Sequence, residues 1–196
     1  MEGLLMLVML CLGMGIIFLF INKSKNEQRV KNEKLEQGIY GDIRSIHLHG
    51  LKYPSNVVFN VKLYNDYLLF TYENEQIKLD LRKIKSASIE NVKEINESKG
   101  FSVGNATLGG ILFGQLGAII GGFSGSQNLK FKILIINYID SENNLKHISF
   151  MPDYFLNVTN KSMTDYRNGF LSEFYNELKK KIDKFSEYKE IQLEEL

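Results

Sequence analysis

The sequence has one cysteine, Cys11, in 196 residues. A lone thiol excludes an internal disulfide framework and any cysteine-rich metal site. Set in an apolar run, it behaves as a small hydrophobe. An excess of either charge is also missing: Lys+Arg 24 against Asp+Glu 23 leaves a net charge of +1. No global field therefore recruits nucleic acid or acidic substrates, and no nucleic-acid partner is expected. Histidine is scarce, with only 3 in the chain. His47 and His49 share a face if "IHLHG" is extended, and His147 would add a third donor, but no spacing specifies a metal. No G-x-S-x-G, H-E-x-x-H or cysteine–histidine arrangement occurs. Carboxylates are scattered through turns and the tail, where solvation accounts for them. No catalytic residue, cofactor or metal is expected, and the chain reads as a non-enzyme.

What is present suits a folded protein: 44% of residues are hydrophobic and 24% charged. The first feature is the uncharged run Leu4 to Ile21, "LLMLVMLCLGMGIIFLFI". As a helix it would extend ~27 Å, close to the hydrocarbon thickness of a bilayer. Glu2 stands where a secretory signal would carry basic residues, and "FLFINKSK" offers no small-residue cleavage site. Lys23, Lys25, Arg29, Lys31 and Lys34 follow at once, a cluster that favours the cytoplasmic side. The expectation is a single-pass anchor over residues 1–21, in the cell membrane, with the carboxyl-terminal domain cytoplasmic. Residues 22–38 read as a polar juxtamembrane helix stopped at Gly38. Lys23, Lys25, Arg29 and Lys31 are its candidate headgroup contacts, with a solvated spacer as the alternative.

From Val57 the period changes to two. In "VVFNVKLYNDYLLFTY", Val57, Phe59, Val61 and Leu63 face one way, and Leu68, Phe70 and Tyr72 follow after a turn at Asn65-Asp66. "QIKLDLRKI" directs Ile77, Leu79 and Leu81 inward, and "SASIENV" reads as another strand. Beyond a glycine-rich segment, "KFKILIINYI" is apolar on both faces, "DSENN" turns, and "LKHISFM" returns. The carboxyl end is helical in period: Tyr166, Phe170, Phe174, Leu178 and Ile182 recur every four residues and Phe185 follows three later, joined by Leu171 and Tyr175. Thr164 or Asp165 is available as its cap, and 186–196 reads as a polar tail.

Antiparallel hairpins closed by one amphipathic helix build a pleckstrin-homology-like barrel. On "VKLYNDYLLF", "IKLDLRKIKSASI", "LIINYIDSENNLKHISF" and "YRNGFLSEFYNELKKKI", the chain resembles the bacterial PH-like (GRAM-type) domains over roughly Gly50 to Phe185. A Gly-rich apolar insert between strands is also similar to some of these proteins. The resemblance implies a binding or scaffolding module. The expected fold class is therefore α+β: a transmembrane helix, then a PH-like antiparallel β-barrel or sandwich over 39–185 with a carboxyl-terminal amphipathic helix and an inserted Gly-rich α-hairpin at 103–125.

That insert, "VGNATLGGILFGQLGAIIGGFSG", carries half of the chain's 16 Gly and no charge. A phosphate loop is excluded, since Gly104 to Gly109 is followed by Gly110 and Ile111 rather than lysine and a hydroxyl. A single membrane crossing would separate strands that must share one sheet. The residue order is nearly a mirror about Gln115 and Leu116, so a turn there would bring the glycines face to face. Ala106, Gly110 and Gly114 on one arm, and Gly117, Gly121 and Gly125 on the other, have small-xxx-small spacing, with Gly109 and Gly122 beside them. Insertion into the bilayer or close packing on the anchor is the favoured reading, with packing on the domain's own surface or self-association as the alternative. The leading functional reading is a membrane-anchored, non-catalytic module for a protein or lipid surface. The alternative is a membrane-active (holin-like or immunity-type) protein acting through the glycine segment.

Overall fold

The computed structural model describes residues 21–91, 132–153 and 161–194, with side chains of the last stretch described over 165–186. The chain divides into two compact units, Met1–Ile39 and Tyr40–Leu196.

In the first unit, residues 21–36 form helix α1. Its end is a Schellman cap: Gly38 adopts φ 74°, the Gly38 N–H donates to Leu35 O at 2.9 Å, and the Ile39 N–H to Lys34 O at 2.8 Å. Gly38 thus stops the helix as its sequence position suggests. Lys23, Lys25, Arg29 and Lys31 are exposed along α1, and Arg29 pairs with Glu33 at 3.5 Å.

The single-pass placement expected from the sequence is corrected here. Among the described residues no helix is long and apolar enough to cross a membrane. From Ile21 onward the described part of α1 runs through "NKSKNEQRVKNEKLE", whose charges would be stranded in hydrocarbon. Residues 4–20 of the apolar run lie outside the described residues.

The second unit is built on one antiparallel seven-stranded sheet. Its strands are β1 (Gly41–His49), β2 (Val58–Leu63), β3 (Tyr67–Tyr72), β4 (Glu75–Asp80), β5 (Ile84–Asn91), β6 (Lys132–Ile139) and β7 (Leu145–Pro152), followed by helix α2 (Lys161–Glu194). The strand order is β4-β3-β2-β1-β7-β6-β5. The period-two reading holds in detail: Phe59, Val61, Leu63, Leu68 and Phe70 are all buried on one face. β6 is buried on both faces from Ile133 to Asn137, as its unbroken apolar run suggests.

The sheet folds over itself. β3 and β7 stand three places apart in the order, which in a flat sheet is about 14 Å. Yet the Phe70 and Phe150 rings stack at 5.4 Å with an interplanar angle of 10°. Both belong to one core with Phe59, Leu134, Ile136 and Ile148. This is an α+β sandwich, but the expected barrel is not closed: β4 and β5 end the strand order and do not pair. Between them a single 3₁₀ turn, Leu81–Lys83, carries the chain from one layer to the other. Asp80 caps that turn through Arg82 N at 2.9 Å, and Leu81 plugs the core beneath it.

Helix α2 packs on β1, β5 and the 3₁₀ turn. Leu171, Phe174, Leu178 and Ile182 enter the core. Thr164 and Asp165 prove to lie inside the helix, which begins at Lys161, and do not cap it. The glycine segment joins β5 to β6 and lies outside the described residues, as do Ala106, Gly109, Gly110, Gly114, Gly117, Gly121, Gly122 and Gly125.

Candidate functional site

The clearest cleft in the second unit lies where β1 and β7 meet the first turns of α2, and encloses about 340 Å³. β1 supplies Asp42, Ile43, Arg44 and Ser45; Pro152 and Asp153 stand opposite; Tyr166, Arg167, Phe170 and Leu171 come down from α2. Register fixes two of the walls, since Ser45 of β1 is aligned with Pro152 of β7.

The α2 side of the cleft follows from helix geometry. Residues four apart on a helix step about 40° around its axis. A stripe of four-residue spacings therefore drifts off the core over two turns. Phe174 is buried, whereas Phe170 is 47% and Tyr166 62% exposed. Their rings pack edge to face, with centroids 4.7 Å apart. The sequence placed all three on one buried stripe; the structure sends the first two to the mouth of the cleft.

The charges at the site offset one another. Arg44 Nε donates to Asp153 Oδ2 at 2.9 Å, and Asp42 and Arg167 add one charge of each sign. The lining therefore gives no concentrated positive field for an anionic headgroup, while Ile43 and Leu171 give it an apolar interior. Ser45 Oγ is buried beside this interior without a hydrogen-bond partner. It is not an activated nucleophile. His47, two residues along the same face, has both ring nitrogens engaged: the Leu51 N–H donates to Nε2 at 3.1 Å, and Nδ1 lies 3.1 Å from the Pro54 carbonyl.

The histidines do not converge. His47 packs edge-on to Phe59 at 5.7 Å, in the core. His49 and His147 face each other at 4.9 Å between centroids, beyond an irregularity in the β1–β7 register that separates them from His47. Burial pushes His47 and His147 below the usual histidine value, which opposes imidazolium formation at either. Among the described residues no group of three or more metal-ligating side chains is found.

A second depression, at the open seam between β4 and the β6–β7 turn, is polar and equally balanced: Lys78 and Lys83 face Asp80 and Asp140. Nor do the three consecutive lysines of α2 form one basic patch. Lys180 pairs with Glu177 at 2.7 Å, while Lys181 binds Asn65 Oδ1 at 2.7 Å and lies over the Tyr40 ring.

Sequence reading missed β1, and with it Arg44 and Ser45. "GDIRSIHLH" puts Ser45 and His47 on the inner face, where an alternation test requires apolar residues. The available signal was the short apolar alternation Ile46 and Leu48 on the other face of the strand.

Compared with known proteins, residues 49–152 match a family model described as "Glycine zipper containing PH domain". No curated protein and no solved structure gives a significant match to the chain.

Proposed function

Since the chain belongs to the family of glycine-zipper-containing PH domains, we propose that it is a non-catalytic binding module whose cleft between β1, β7 and α2 receives a protein segment with an apolar or aromatic anchor. The observation that carries this reading is the pair Tyr166 and Phe170, two large exposed rings at the mouth of a cleft with an apolar interior. Exposed aromatics beside a pocket are the usual energetic centre of a protein contact. The charge balance favours a peptide over an anionic lipid headgroup, because Arg44 already has Asp153 as its counter-ion. Ser45 Oγ would gain from a donor or acceptor on the ligand the partner it lacks.

The test is selection of peptides from a random display library on the full-length chain, with vesicles of neutral and anionic lipid assayed in parallel. The expected result is a peptide set with a shared apolar or aromatic position, bound at least about tenfold more weakly by Phe170→Ala. Selection of no peptide, with vesicle binding insensitive to Phe170→Ala and Arg44→Ala, would overturn the assignment of the cleft.

A further inference from the structure

The sheet has a second buried face that the core does not explain. Ile46, Leu48, Ile133, Ile135, Ser149 and Met151 are each 5% exposed or less, yet none belongs to the cluster enclosed by the curled sheet and α2. Register puts most of them on the opposite, outer surface: Ile46 aligns with Met151, and Ile135 with Ser149, while their sequence neighbours Leu134, Ile136 and Phe150 point into the core. The patch runs across β1, β7 and β6, three adjacent strands. The described helices are accounted for elsewhere. The buried apolar side chains of α2 join the inner core, and α1 is exposed along nearly all its length.

We propose that the uncharged glycine-rich segment Val103–Gly125 of this chain covers the outer face of β1, β7 and β6 as a third layer of the domain. Three observations favour this occupant. The segment is tethered at the patch, because Asn91 and Lys132 are aligned partners and the chain between them leaves and returns at one end of the sheet. Ile133 is then the first apolar residue of β6 after the return. The reach is sufficient: six residues separate Gly125 from Lys132, or about 20 Å of extended chain, against about 13 Å for the length of the face along β6. The chemistry is complementary too. An apolar face closes against an apolar segment without leaving a charge unpaired, and small residues allow close approach of backbones. While it covers the sheet, the segment is not available to lipid.

The test is disulfide trapping in the full-length chain carrying Cys11→Ser. Ser149→Cys, a near-isosteric change, is combined in turn with Thr107→Cys, Leu112→Cys, Ile119→Cys or Ser124→Cys, and oxidised with copper phenanthroline. Met151→Cys repeats the series in case Ser149→Cys does not fold. At least one position should give an intrachain disulfide in a monomer. The single Ser149→Cys thiol should also react with a soluble maleimide at least about tenfold more slowly than Ser141→Cys in the exposed β6–β7 turn. Disulfides that join two chains would show a second copy on the face and overturn the proposal. So would failure of every position in both series, whether the Ser149→Cys thiol proved protected by another segment or freely reactive.

Discussion

His47 is a core residue whose protonation state is set by its hydrogen bonds. Accepting from the Leu51 N–H requires a bare Nε2, so the proton sits on Nδ1 and points to the Pro54 carbonyl. Protonation would break the first bond and bury a charge against Phe59 and Phe150. The folded-state value lies below 6.5 because of burial, and His147 is lowered for the same leading reason. Above pH 6.5 these histidines are neutral in both states. Below it the unfolded chain takes up protons that the fold refuses, so stability falls as pH drops from 6.5 through the depressed folded values. The expected slope is at most about 1.4 kcal/mol per pH unit for each histidine. Urea midpoints between pH 8 and 5 should show this decline, and His47→Asn should remove its share. A wild-type midpoint flat across that window would refute the assignment. Gly50 sets a second residue-scale limit. It holds φ 101°, and a Cβ there would lie 1.9 Å from the His147 carbonyl oxygen. Backbone cannot yield as a flexible side chain does, so Gly50→Ala should destabilise by more than about 1 kcal/mol. A thermal or urea unfolding curve superimposable on wild type would contradict that.

At the scale of elements, β1 and α2 organise the domain. β1 pairs on both sides, with β2 and β7, and so joins the two halves of the sheet. α2 closes the curled sheet through Leu171, Phe174, Leu178 and Ile182. Phe174 is the keystone of that contact, packed so closely on β1 that a Cβ on Gly41 would approach its ring to 2.9 Å. Phe174→Ala should cost ~3–5 kcal/mol in the free energy of unfolding. One turn earlier the outcome reverses. Phe170 lies at the cleft mouth, so Phe170→Ala should change stability by less than about 0.5 kcal/mol while weakening peptide binding. Denaturant titration of the two variants side by side checks the pair of expectations. Equal losses would place both rings in the core.

For the whole molecule, the two units differ in what holds them. The unit Met1–Ile39 is described through a polar, exposed helix with one capped end, whereas Tyr40–Leu196 owns the core. The PH-like character expected from the hairpin pattern agrees with the family match over 49–152, and so does the glycine zipper, though that match does not extend to the GRAM subtype. The single-pass placement did not survive, because among the described residues no helix is apolar enough to span a bilayer. In place of a closed barrel the fold has a seam between β4 and β5, bridged by Leu81–Lys83 and flanked by α2.

Local chemistry alone determined a good deal of this protein. Alternation at Phe59, Val61, Leu63, Leu68 and Phe70 set the inward face of β2 and β3, and a two-faced apolar run marked β6. Gly38 ended α1, since only a residue at ease with positive φ completes that cap. These features depend on neighbours a few residues away, which a linear reading can see. What only tertiary structure decided depends on distant partners. His47 can face inward because the loop from Gly50 to Val57 folds back to satisfy it, and Ser45 lies on the same face, so β1 was hidden from a test of hydrophobic period. Tyr166 and Phe170 share the spacing of Phe174, but the curled sheet reaches only part of α2, and the two rings beyond it are left to line a cleft. The candidate site was illegible for that reason: its walls come from segments more than a hundred residues apart, brought together by β1–β7 pairing and by helix packing rather than by any motif.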